Sequence, residues 1–197
     1  STIFGRIDFV KFDLTQEDKN KTEQYKARKK FLKESDNKKK LETFLKNIKA
    51  KPKVLKVDKL LSNRAAQMTQ KTNQFNFRTK RFSTNELINF NKSKKNKSYL
   101  ISFEDKFGSH GCVGLIMLSQ KKEYEMFIDN FLMSCRILGR KLELWFLAYI
   151  CKEMSIRSIR ILILEFLESS KNNLLIDFIK NTFNKQTSKI NFKKKKK

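Results

Sequence analysis

Scarcity is the first property of this sequence. Among 197 residues there are one His, one Pro, one Trp, five Gly and three Cys, and 20 acidic side chains stand against 45 Lys and Arg. A lone His and three scattered cysteines (Cys112, Cys135, Cys151), with no Cys-x-x-Cys pair, argue against a zinc site, and no metal is expected. No apolar run reaches about 18 residues, so no segment is expected to span a bilayer. The scattered cysteines and the lack of a secretory signal pattern suit a cytoplasmic location. The first residue is Ser, as expected of a piece of a longer chain.

What is present points to a folded domain. With 39% hydrophobic residues and 18 Phe, the chain is no disordered tail and is long enough for a real core. The net charge of +25 comes from 36 Lys and only 9 Arg, beside 16 Asn and 16 Ile. That skew is what AT-rich coding produces. A purpose-built phosphate surface would use more of the bidentate Arg fork, so nucleic-acid binding is not expected as the main function. The rare residues are the better guide. Five of the nine Arg and four of the five Gly fall between positions 64 and 140.

Periodicity sets the element order. Thr15 and Asp18 form a capping-box pattern for a helix over 16–34, and Leu41, Phe44, Leu45 and Ile48 mark a short amphipathic helix ended by Pro52. Val54, Leu55 and Val57 suggest a strand, and Asp58 caps a helix carrying Leu60, Leu61, Ala65 and Met68. Ser83 or Thr84 caps another, through Phe90. Strands are expected over 99–104, 112–118, 124–135 and 159–167, the first two joined by a tight or bulged glycine hairpin. Helices are expected over 140–154 and 172–183, with a weak closing strand near 189–192. The fold class is therefore α/β (α+β): a mixed, mostly antiparallel sheet flanked by helices and preceded by a helical segment. The expected division is 1–52 as helical linker, 53–192 as the main domain and 193–197 as a disordered Lys tail.

The strand-to-helix junction Asp129–Lys141 is the most specific local feature. Backbone N–H groups at a helix start, beside Arg136, Arg140 and Lys141, would suit a pyrophosphate or pantetheine phosphate; an ordinary turn with solvated Arg is the alternative. Cys135, flanked by these cations, is either an activated thiol or a small buried hydrophobe. Strand alternation puts it on one face with Met133 and Asp129. Cys112 and Cys151 fall in apolar patterns and are expected in the core. His110, in the hairpin, is either a general base or solvated. Asp105 and Asp129 could orient a donor or bind glyceryl hydroxyls. The amides of Thr69–Asn76 could hold an acyl group or satisfy their own loop.

Arg136-Ile-Leu-Gly139-Arg140-Lys141 resembles the Arg/Gln-x-x-Gly-x-Gly/Ala loop of the GNAT acetyltransferase fold. More closely, the chain resembles the C-terminal half of FkbH-like proteins. These join a haloacid-dehalogenase (HAD) domain to a GNAT-like domain and load a glyceryl unit onto an acyl carrier protein. The resembling blocks are Leu14–Lys19 with Tyr25, Leu41–Leu45, Gln67–Asn76, Asp105–Gly114, Phe131–Arg140, and Lys171-Asn172 with Asp177-Phe178. The resemblance implies phosphopantetheine or coenzyme A at Arg136, Leu138, Gly139, Arg140, Lys141 and Asn172. It implies an acyl pocket at Thr72, Asn73, Gln74, Asn76 and Asp105. Chemistry at Cys135, His110 and Asp129 is suggested by the residues themselves, and the resembling family commonly carries Asn where His110 stands. Acyl transfer to a carrier-protein thiol follows as the expected function, with a catalytically silent carrier-docking module as the alternative. The implied partners are the carrier protein and an N-terminal HAD domain, with no membrane. Lys141 stands where the family usually has Gly, Ile179 where it usually has Tyr, and Phe183-Asn184 where Gly-Phe is expected. These residues hold no Asp-x-Asp-x-Thr run, so no phosphatase chemistry is expected of them.

Overall fold

A computed structural model describes residues 49–72, 74–106, 108–138, 140–167, 173–183 and 190–195. The helices expected before residue 49, and Asn73, Gly139 and Asn172, lie outside the described residues.

Strand β1 (Lys51–Lys56) begins before the position expected from its valines and includes Pro52, which pairs with Phe103. Pro52 was expected to end a helix; an edge strand tolerates its missing N–H. Helix α1 (Lys59–Lys71) starts where Asp58 accepts the Leu61 N–H at 2.8 Å. Helix α2 (Thr84–Lys92) is capped by Ser83, whose hydroxyl accepts the Glu86 N–H while the Glu86 carboxylate accepts the Ser83 N–H. Strands β2 (Asn96–Asp105), β3 (Gly108–Lys122) and β4 (Glu125–Met133) follow as a meander. A 3-10 turn at Cys135–Ile137 leads into α3 (Leu142–Ile156), then β5 (Ile161–Leu167), α4 (Asn173–Phe183) and β6 (Ile190–Lys195). Lys193–Lys195 therefore belong to a strand instead of the expected tail. They pair with Glu165–Leu167, so the ladder extends past the apolar residues that signalled it.

The six strands lie in sequence order, antiparallel from β1 to β4 and parallel from β4 to β6. Parallel neighbours need a crossover, and α3 and α4 supply the two. One face of the sheet packs Tyr99, Ile116, Phe131 and Met133 against Phe146, Ile150 and Leu175 of α3 and α4. The other packs Leu100, Leu115 and Leu132 against Ala65, Met68 and Leu87 of α1 and α2. Helix α3 is too apolar for a surface helix and leaves Leu144 and Trp145 partly exposed. Gly114 lies between two side chains of the neighbouring strands: a Cβ there would overlap Met133 Sδ and Ile101 Cγ2.

Candidate functional site

The meander ends in a fork. Strands β4 and β5 pair from Glu125↔Ile161 to Ile128↔Leu164, and the ladder stops there. On the other side of β4, Leu118 pairs with Ile128 and Met117 with Asn130, so Asp129 is the extra residue of a β-bulge. A bulge bends and twists its strand, and this one falls where β4 leaves β5. It also interrupts the simple alternation that put Asp129 on the face of Met133 and Cys135. Ile128 and Phe131 share one face, and Asn130 points to the other, donating to the Lys80 carbonyl at 3.3 Å. Asp129 is half-buried, and its Oδ2 has no hydrogen-bond partner among the described residues.

Beyond the fork, the edge of β4 that β5 gives up is taken by the connection between α1 and α2. Phe77 N–H donates to the Phe131 carbonyl and Met133 N–H to the Phe75 carbonyl, each at 3.0 Å, and Asn76 bridges antiparallel to Leu132. The rings of Phe75 and Phe77 are buried in the fork, 5.5 and 5.2 Å from Phe131 and 5.1 and 6.4 Å from Phe178. Asn76 is buried; its Nδ2 donates to the Thr72 carbonyl at 3.1 Å and its Oδ1 accepts the Thr79 N–H at 2.9 Å. Of the amides expected to line an acyl pocket, Asn76 instead shapes its own loop, and Gln74 is exposed.

Arg140 and Asp105 are also placed differently from a ligand-binding role. They form an ion pair at 2.5 Å, with side chains 3% and 0% exposed, between the turn before α3 and the end of β2. Neither presents its charge to solvent. Burial draws the Arg140 pKa down, and Asp105 opposes that effect. His110 completes the cluster, not solvated but buried. Ser102 pairs with Cys112 and Glu104 with Ser109, so His110 and Gly111 together oppose Phe103; Gly111 takes φ +64° to close this second bulge. The His110 ring lies 5.3 Å from Phe103, with Nε2 3.0 Å from Asp105 Oδ2 but neither nitrogen in a well-aligned hydrogen bond. Burial draws its pKa down, and the neighbouring Asp105 opposes that effect. His110 is therefore buried beside the Arg140–Asp105 ion pair instead of lying in solvent.

The loop between these features leaves the end of β4 still tied to β3. Ser134 N–H donates to the Val113 carbonyl at 2.7 Å, and Arg136 Nε donates to Ser134 Oγ at 3.2 Å. Leu138 is buried, and Cys135 is half-buried against the core. Lys141 is exposed in the left-handed region (φ 57°), a conformation that glycine takes without strain, and it makes no side-chain cap. In the first turn of α3, Glu143 carries a buried Oε2 without a hydrogen-bond partner among the described residues, and burial raises its pKa. Only an acidic residue near a helix start signalled it in sequence. Ile179 packs on the core. Cys151, expected in the core, is exposed on α3, and Cys112 is half-buried. Among the described residues no group of three or more His, Cys, Asp or Glu could hold a metal ion, and no helix is long and apolar enough to cross a membrane. A cleft of about 470 Å³ lined by Lys56, Asp58, Lys59, Asn91 and Lys92 lies beside the end of β1, by Lys56↔Tyr99.

No family model matches the sequence, and no curated protein does. Solved structures do. Ard1 from Thermoplasma volcanium aligns at 10% identity over 67% of this chain and 81% of that one, with a TM-score of 0.50. An acetyltransferase from Trypanosoma brucei aligns at 13% over 68% and 92%, with a TM-score of 0.46. The ribosomal-protein-S18-alanine N-acetyltransferase from Escherichia coli aligns at 11% over 57% and 64%, with a TM-score of 0.44. The match thus spans under two-thirds of the E. coli enzyme. The chain has the GNAT acetyltransferase fold, the class expected from its element order.

Proposed function

We propose that this chain is the GNAT-like part of an FkbH-like protein, and that it takes part in loading a glyceryl or related acyl group onto the phosphopantetheine thiol of an acyl carrier protein. One observation carries this reading. The two most distinctive blocks of the FkbH resemblance, Gln67–Asn76 and Phe131–Arg140, are far apart in sequence yet pair directly through Asn76↔Leu132 and the two flanking hydrogen bonds. The two segments that carry the resemblance therefore form one structural unit. The share of the work assigned to this domain is carrier recognition. A net charge of +25 steers an acidic carrier toward it, and the HAD domain implied by the resemblance would supply phosphate chemistry.

A second reading, catalysis by this domain, rests on Cys135. Its half-buried side chain stands beside Arg136 just past the end of β4, where its sulfur could take an acyl group as a thioester while the donor's leaving group departs. Mass spectrometry of holo carrier protein, mixed with this chain and a glyceryl donor, separates the two. Docking predicts measurable binding and an unchanged carrier mass. A carrier heavier by one glyceryl group, lost in Cys135→Ala, supports catalysis. Absence of any binding contradicts both.

A further inference from the structure

A phosphate held by residues 136–141 at the start of α3 would put the rest of a pantetheine ligand beside the strand that runs into this loop. That strand is β4, and the side left open to a ligand is the one β5 abandons after Leu164. An arm with two amides would bind there as an added strand does, pairing with backbone groups along an open edge. In this chain the edge is not open. The Phe131 carbonyl and the Met133 N–H, which point out of it, already bond to Phe77 and Phe75. The space beside them is filled by two Phe rings exposed by 2% and 0%, packed on Phe131 and Phe178. At the loop itself, Arg140 is buried on Asp105 and Leu138 is in the core. The residues present do not fit a coenzyme A or pantetheine arm laid along β4.

We infer that residues 74–77 are a built-in occupant of the β4 edge, so neither coenzyme A nor a carrier's pantetheine arm is held along this strand. The segment is no lid. Lifting it would expose two buried aromatic side chains and strand two backbone groups. This inference rests on the hydrogen bonds and packing and does not depend on the carrier-protein reading. It changes what the fold is for: the sheet edge that offers a ligand site is here part of the core.

Amide hydrogen exchange on the whole chain, resolved at Phe77 and Met133, tests it with coenzyme A and uncharged pantetheine as probes. Both amides are expected to exchange at least a hundredfold more slowly than exposed ones, and to be unchanged by either probe at millimolar concentration. Coenzyme A attracted only by the basic surface would leave at high salt and leave both amides protected, which agrees with the inference. So does binding at any other site that spares them. Rapid exchange at either amide in the chain alone, or faster exchange when coenzyme A or pantetheine is added, would overturn it. The readout is independent of carrier binding, so failure of one reading leaves the other standing.

Discussion

Arg140 and Asp105, 35 residues apart, share a buried ion pair that ties the turn before α3 to the tip of the β2–β3 hairpin. The pair also explains where a basic residue of the GNAT-like loop has gone. Its guanidinium lies 5.7 Å over the Phe103 ring and faces into the protein.

Removing one partner leaves an uncompensated buried charge. Arg140→Ala and Asp105→Ala should each lower the stability read by urea unfolding by about 3–5 kcal/mol. Replacing both with apolar residues of similar volume should cost much less than either single change. A single variant within about 0.5 kcal/mol of the parent would show that the pair is not formed.

His110 makes stability depend on pH. Its pKa is lower folded than unfolded, so the unfolded chain takes up the proton more readily. Stability is unaffected above the unfolded value of about 6.5 and falls as pH drops below it. Glu143, with a raised pKa, works in the opposite sense. The difference between the parent and His110→Asn therefore isolates the His. Chemical unfolding at pH 7.5 and 5.5 should show the parent losing more stability than the variant; equal losses would contradict a pKa lowered by burial.

Lys141 holds a left-handed conformation that costs an L-residue about 1–2 kcal/mol. Lys141→Gly should raise stability by up to about 1 kcal/mol, and Lys141→Val should lower it. A destabilised glycine variant would mean that the Lys side chain makes a compensating contact.

Gly114 tests the packing of the central strands. Gly114→Ala forces its methyl into Ile101 and Met133, and overpacking of this kind costs about 1–3 kcal/mol. A parallel Val113→Ala variant, which leaves a cavity instead, separates crowding from loss of contact: only the first should be relieved by adding Met133→Ala.

Much of the fold was legible because it rests on local patterns. Asp58 and Ser83 are caps that identify themselves, and the apolar runs of β2, β3 and β5 need only their neighbours to be buried. The site was less legible because its residues are defined by partners distant in sequence. Nothing near Arg140 announces that Asp105 will bury it, and the bulge that exempts Asp129 from alternation is set by the register of β3. Residues 74–77 show the same limit. Amides beside two Phe look like a polar pocket in sequence, whereas in the fold the Phe rings fill the fork and Asn76 turns inward to hold the loop.

The most direct test of a carrier-docking domain without a pantetheine groove compares apo and holo forms of one acidic carrier protein. Titration calorimetry should give dissociation constants within about twofold of each other, because the arm adds no contact along β4. A holo carrier bound tenfold or more tightly, about 1.4 kcal/mol, would show that the arm is held and would contradict the account.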